Sequence, residues 1–430
     1  MRTDVAIVSL LFLFSTVFLI LCPVYYGSDA DYAVPQLVSL LESGDLNLDE
    51  YSHLAGKNYQ IIRVGQHFYD AYPYGTVILA FPLALLADSL YGSNYLSLHR
   101  DEFSIVFASL LMALATCFIY AMGRYRLVRW KSLLLAIYFL VCTSVLSTGS
   151  RSLWQQSGSI FLSSVLLWLL EKDRLEQKKI LAVLIGLVLG WAFAVRPLTA
   201  LVTIAVCVYY ASYQHMRHRI LYIIIPGMLV GVVIALINLK LYGTVLHPYY
   251  QWPSQKPVDV LYSLASNLFS PARGFFYWHP AFVLSLAAMI ASLRKGADYK
   301  FLPFALCIAI AHVWIVCNYE AWWGGHSIGP RLTAALLPFF VFALIPFLHR
   351  MNLHRRPMAS MALIALMFIS FPIHFRAAID PSVGRWNLGP PNINDGPGPI
   401  WKFRDQQGLA GDRNVRALLM LGPGDQDETD

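Results

Sequence analysis

Long apolar runs constrain this chain more than any other feature. About 20 consecutive apolar residues are needed to cross a bilayer core, fewer where neighbouring helices shield the ends. Such runs recur at 5–26, 102–123, 132–148, 158–171, 180–195, 198–214, 220–242, 281–294, 301–319, 332–348 and 358–375. With 57% hydrophobic and 13% charged residues, the chain has too little polar surface to coat a soluble globule of 430 residues. The expected fold class is therefore an all-α polytopic membrane protein of about 11 transmembrane helices. The opening run, MRTDVAIVSLLFLFSTVFLILCPVYY, is too long for the apolar part of a signal peptide and lacks a small-residue cleavage site. It reads as a retained first helix.

The formal charge of +7 does not point to nucleic acid, because the cations are scattered in short clusters between the apolar runs. Arg124, Arg126, Arg129 and Lys131 form one cluster, and Lys172, Arg174, Lys178 and Lys179 a second. Arg217 with Arg219, Arg294 with Lys295, and Arg350 with Arg355 and Arg356 complete the set. All fall on one side if the runs alternate, and the positive-inside rule makes that side cytoplasmic. The N-terminus is then inside and the C-terminus outside, in a membrane expected to be a bacterial inner membrane. The six cysteines lie within or beside apolar runs without metal-ligand spacing, and read as packing residues.

One further stretch, YGTVILAFPLALLADSLYG at 74–92, breaks this alternation if it crosses. It is short, carries Pro82 at its centre and contains Asp88, so it is expected to be a membrane-embedded or re-entrant part of the first outer loop, 27–101. In the same loop Val34, Leu37, Val38, Leu40 and Leu41 recur at helical spacing, which predicts an amphipathic helix over 33–43 along the membrane surface. A second long outer segment spans 243–280. Residues 1–375 are expected to form the membrane domain, and 376–430 a short external tail in which NLGPPNINDGPGPIW is too rich in Pro and Gly for regular structure.

The predicted outer face gathers polar groups at the ends of spans: Asp29, Asp31, Arg63, His67, Asp70, Arg151, Gln155, Gln156, Arg196, His247, Arg273, His279, Glu320, His326 and Arg331. Charged groups cost about 2.5–3.5 kcal/mol each at mid-bilayer and tend to face a wet cavity. Arginines on the side that should be poor in them suggest bound anions, and a lipid phosphate is the ready anion in a membrane. Arg196 precedes a proline at an outer turn, where it can equally snorkel to headgroups. Arg331 closes EAWWGGHSIGPR, in which Glu320 and His326 can titrate and Trp322 and Trp323 form either an interfacial belt or a sugar-stacking platform. Asp31 can cap the 33–43 helix, whereas Asp29 stands free between span and helix as a general-base candidate. No nucleophile elbow, P-loop, dinucleotide glycine motif or HExxH occurs.

The order of SDADY, YPYGTVILAFP, SRSLW, VRP, SPARGFFYWHP and WWGGHSIGPR resembles the GT-C glycosyltransferases, the polytopic group that includes protein O-mannosyltransferases, the oligosaccharyltransferase catalytic subunit and the lipid A aminoarabinose transferase. The resemblance covers most of residues 5–375. It implies a polyprenyl-phosphate sugar donor, an acceptor that is a glycan, lipid or protein, membrane lipids as surroundings, and inverting transfer on the outer face. It assigns the base to Asp29, and a donor or acceptor site to Asp31, Arg63, Arg151, Arg196, His247, Arg273, His279, Glu320, Trp323, His326 and Arg331. It also implies a mobile loop over the donor at 243–280. Family members often have a second acid directly after the first, where this chain has Ala30, and some have acids after the third span, where it reads GSRSLWQQSG. Hard cations want clustered carboxylates, so no metal cofactor is expected. Two other readings remain open: an O-antigen polymerase or ligase, separated only by SDADY and the surface helix, and a non-catalytic lipid-linked-glycan transporter. The transporter predicts charges inside spans, yet the span interiors hold mainly Asn238 and His312.

Overall fold

A computed structural model describes residues 2–54, 59–214, 216–250, 258–294, 299–389 and 391–409. The chain enters through α1 (Arg2–Ile20), then α2 (Ala33–Glu42), a hairpin of β1 (Ile61–Val64) and β2 (His67–Asp70), α3 (Gly75–Tyr91) and α4 (Ser93–Leu98). The middle of the bundle is α5 (Arg100–Arg124), α6 (Arg129–Val141), α7 (Gln155–Glu176), α8 (Lys179–Val195), α9 (Ala200–Ser212) and α10 (Ile220–Tyr242). Then follow α11 (Val260–Phe269), α12 (Phe275–Trp278), α13 (Phe282–Ala291) and α14 (Leu302–Cys317). The chain closes with α15 (Leu337–Ala343), α16 (Ile345–Arg350), α17 (Pro357–Phe368), α18 (Phe371–Ile379) and α19 (Ser382–Arg385).

Each apolar run of the sequence is occupied by a helix, and five helical stretches are long and apolar enough to cross a membrane: Thr3–Ile20, Arg100–Arg124, Arg217–Tyr242, Arg331–Arg350 and Pro357–Ile379. The other apolar helices have 10–17 residues, and α7, at 22 residues, is not apolar enough, so length and composition do not yield a count of eleven. The chain is an integral membrane protein. Its outward helix faces expose Leu10, Leu13, Leu229, Val232 and Leu236, as a lipid-facing surface should. Helix association in lipid depends on close backbone approach rather than on hydrophobic driving force. On α8, Gly186 and Gly190 are spaced as a small-xxx-small pair, and a Cβ at Gly190 would meet the Gly227 carbonyl of α10 at 2.8 Å.

Several charged groups at the basic end of the bundle are paired. Arg126 forks onto the Glu171 carboxylate at 2.7 and 2.9 Å, Arg174 adds a contact at 3.1 Å, and Asp4 accepts from Tyr120 and Arg124 at 2.9 Å each. Asp173 is buried against Arg219 and Tyr210.

Three sequence expectations are refined. The 74–92 stretch, expected to be membrane-embedded or re-entrant, is one continuous α-helix over Gly75–Tyr91 with Pro82 inside it. Pro82 has no N–H to give the Ile78 carbonyl, yet the helix runs on through it, and Leu85, Leu86 and Leu90 stay exposed. The surface helix forms where its periodicity places it, but Asp31 does not cap it: α2 has no side-chain cap, and the Asp31 carboxylate accepts from the Tyr25 hydroxyl at 3.0 Å instead. The hairpin departs from an all-α chain. It is antiparallel, pairing Ile61 with Asp70 and Val64 with His67 around Gly65, whose φ of +63° suits the tight turn.

The Pro- and Gly-rich tail has no α-helix after Arg385 among the described residues, only short 3₁₀ turns, yet it is packed. Trp386, Ile393 and Ile400 join Ala272 and Trp322 in a small apolar cluster, which fastens the tail over the loops at one end of the bundle.

Candidate active site

The chain leaves α1 through Tyr25, Tyr26 and Gly27 and turns back at Ser28, a non-glycine residue at φ +46°. A left-handed L-residue costs energy and persists only where its surroundings hold it. The Gln60 amide donates to the Ser28 carbonyl, and the Ser28 hydroxyl donates to Asp29 Oδ1 at 3.2 Å. The turn presents the Asp29 carboxylate to a cavity of 770 Å³.

Across that cavity stands Arg331, at the end of the WWGGHSIGPR loop. Its Nη1 lies 2.8 Å from Asp29 Oδ2, and the side chains of Arg331 and Asp29 are only 8% and 20% exposed. Nη2 donates to the Gly324 carbonyl at 3.0 Å, and the guanidinium stacks over the Trp154 ring at 4.8 Å. Nε and Nη1 have no aligned hydrogen-bond acceptor among the described residues, so the ion pair is close in distance but leaves donor capacity at the cavity wall. The loop can bring Arg331 in only because Gly329 adopts φ +54° directly against Trp278, where a Cβ would sit 2.8 Å from the ring.

Asp31, Arg196 and His326 share this cavity with Asp29 and Arg331. His326 Nε2 is 2.9 Å from Asn392 Oδ1 on the tail, and burial raises the Asp31 carboxyl above its ordinary value. Tyr59 donates to Asp29 Oδ1 at 3.3 Å. Burial, reinforced by the Asp29 charge, raises the Tyr59 and Tyr72 phenols and keeps them neutral donors. Among the described residues no group of three His, Cys, Asp or Glu side chains converges as a metal cage would.

The other sequence candidates lie elsewhere. Arg63 is exposed on the hairpin and donates to the Gly65 carbonyl at 3.2 Å. Arg151 is buried and turned toward the end of α1, where its guanidinium donates to the carbonyls of Leu19 and Cys22. There it meets the negative end of the helix dipole, and the Leu19 carbonyl also accepts from the Cys22 N–H at 3.3 Å. His247 is buried between Tyr74 and Tyr242, and burial pushes it down to about 3. His279 is buried in the core, where its Nε2 accepts from the Ser144 N–H at 3.1 Å and its Nδ1 donates to the Phe275 carbonyl at 2.9 Å. Trp323 donates to Ile393 of the tail at 3.0 Å, and Glu320 is half-buried outside the cavity wall.

Arg273 carries the tail. It donates to the Trp323 carbonyl at 2.7 Å, to Asn387 at 2.8 Å and to Gln407, and burial pushes it down to about 9. It thus supports the Arg331 loop from behind rather than facing the cavity. Of the 243–280 segment, residues 251–257 lie outside the described residues, and Tyr249 lines the cavity.

The remaining wall had little or no sequence signal. Gln155 and Gln156, at the start of α7, are recognisable only as polar residues at a span end. Tyr59, Tyr72, Tyr249 and Tyr319 come from four separate loop positions with no common spacing, and Asn387 and Asn394 from the irregular tail.

Residues 92–241 match the family described as dolichyl-phosphate-mannose-protein mannosyltransferase. This mannosyltransferase-like stretch runs from just before α4 to the end of α10 and supplies Trp154, Gln155, Gln156 and Arg196 to the cavity. Asp29 and Arg331 lie outside it. The crystal structure of the Archaeoglobus fulgidus oligosaccharyltransferase in the apo form is similar at a TM-score of 0.47 and 10% identity, over 90% of this chain and 57% of that one. This chain therefore spans little more than half the length of that structure. No curated protein matches.

Proposed function

We propose that this chain is a membrane glycosyltransferase of the GT-C type, which moves a sugar from a polyprenyl-phosphate donor to an acceptor hydroxyl on the outer face, with inversion. The observation that carries the reading is the 2.8 Å Asp29–Arg331 pair in a 770 Å³ cavity at the ends of the helices. The mannosyltransferase match over residues 92–241 supports it.

In this reading the donor phosphate takes the Nε donor of Arg331 and competes with Asp29 for Nη1, with Arg196 as the second cation. Competition for Arg331 loosens its hold on Asp29. The acceptor oxygen then attacks the anomeric carbon and the carbon–oxygen bond to phosphate breaks. The bonding pair leaves with the phosphate, while the hydroxyl proton passes to Asp29. An anionic phosphate leaving group needs no strong general acid. His326, steadied by Asn392, and the cavity tyrosines supply hydrogen bonds to sugar and acceptor hydroxyls.

The test is transfer by the purified protein from a panel of polyprenyl-phosphate sugars, with donor binding measured in parallel. Asp29→Asn is expected to bind donor as the wild type does and to lose transfer by roughly 10²–10⁴-fold. Wild-type protein that binds no such donor, or an Asp29→Asn variant that still transfers, overturns the assignment.

A further inference from the structure

The helices that meet at the Asp29 cavity carry a second cavity at their other ends. On α7, Gln155 and Gln156 line the first and Arg174 lines the second. The Arg331–Arg350 stretch likewise begins at the first and ends at the second. This second cavity measures 910 Å³ and brings together Arg126, Arg174, Arg294 and Arg350 with His349.

The four arginines come from two separate turns and the ends of α7 and α16, so they are far apart in sequence and converge only in the fold. Glu171 is the one carboxylate paired with any of them among the described residues, and it is shared by Arg126 and Arg174. Arg126 is further fixed by stacking over the Tyr299 ring at 4.5 Å. Arg294 and Arg350 are exposed and make no ion pair with any described residue. Among the described residues, four guanidinium groups against one carboxylate leave a net positive cavity whose two open forks have no acceptor.

The wall beneath these cations is apolar. Ala287 and Ala291 of α13 are open to the cavity, and Leu302 and Phe347 continue the surface. An anion alone would satisfy the arginines and leave this wall bare. A molecule with a phosphate at one end and a hydrocarbon chain at the other satisfies both, and basic pockets between membrane helices recognise lipids in this way.

We propose that this cavity binds an anionic phospholipid, with the headgroup phosphate held by Arg294 and Arg350 and an acyl chain lying along the α13 wall. The site is separate from the Asp29 cavity and does not depend on the reaction assigned there. The position of the cations at the ends of α7, α13 and α16 puts the phosphate at headgroup depth, where a leaflet lipid reaches it without leaving the membrane.

The experiment titrates the full-length protein in neutral detergent with phosphatidylglycerol, phosphatidylcholine or inorganic phosphate, reading bound lipid by native mass spectrometry and the unfolding midpoint by thermal shift. Phosphatidylglycerol is expected to bind about tenfold or more tightly than phosphatidylcholine and to raise the midpoint. The Arg294→Gln/Arg350→Gln double variant is expected to lose that preference. Both side chains are exposed and unpaired, so the variant should fold. Arg355→Gln/Arg356→Gln removes the same charge from the same end of the molecule, outside the cavity, and is expected to keep it. If the two double variants lose lipid equally, the attraction is a diffuse surface effect and the site is overturned. Unchanged binding by the Arg294/Arg350 variant overturns it too. If inorganic phosphate alone gives the same thermal shift and displaces the lipid, a soluble phosphate compound is the ligand and the lipid assignment falls.

Discussion

At the scale of single residues, burial decides which charges are available for chemistry. Asp70, at the end of the hairpin, is followed by an alanine as Asp29 is, but it is buried, and burial raises its carboxyl well above the ordinary value. The folded state therefore holds its proton at pH values where the unfolded chain has released it. Folding stability from this group is full below the unfolded carboxylate range and falls as pH rises through the folded value. Asp70→Asn keeps an oxygen for the Tyr72 N–H, which donates to Asp70 Oδ1 at 3.0 Å, and removes the titration. The variant is expected to be as stable as wild type in acid and more stable at neutral pH, as read from thermal unfolding across a pH series. A parallel decline in both proteins would sink the idea. Sequence alone separates Asp29 from Asp70 only by position; the 20% exposure of Asp29 beside Arg331 is a property of the packed turn.

At the scale of elements, the tail is where sequence reading and structure diverge most. Its Pro and Gly content does exclude long helices, since proline lacks the N–H and glycine loses much backbone freedom on ordering. Composition says nothing about side chains that dock elsewhere. Gln407 is completely buried: it accepts from Arg273 and from the Gly329 N–H at 3.0 Å, and donates to the Ser327 carbonyl at 2.7 Å. It therefore ties together the loop that presents Arg331. Gln407→Ala leaves the buried Arg273 and Gly329 donors unsatisfied, and is expected to cost roughly 2–4 kcal/mol. A lowered unfolding midpoint in detergent, together with weakened donor binding, is the expected result; an unchanged midpoint would show that the tail is a passive cover. The surface helix and the main apolar helices, by contrast, were legible because their periodicity and hydropathy are local properties of the sequence.

At the scale of the whole molecule, the two cavities at opposite ends of the bundle divide its polar chemistry. If the basic end is cytoplasmic, as the Lys and Arg clusters imply, then in a chain cleared of its native cysteines Glu50→Cys should label only from outside. His354→Cys, beside Arg355, should label only from inside. Labelling of both from one side would reverse or dissolve the orientation. Hydropathy and charge distribution by themselves determined that the chain lies in a bilayer, where its helices fall and which end is basic. They could do so because lipid solvation acts on each segment separately. Tertiary structure alone decided which of the many polar groups at the end opposite the basic clusters face a common cavity. Asp29 and Arg331 are about 300 positions apart yet 2.8 Å apart in space, while Arg151 and Arg273, of the same residue type as Arg331 and predicted for the same site, are turned inward to hold carbonyls and the tail. That choice follows from how packed helices and loops bring distant side chains to one point, and no single segment of the sequence contains it.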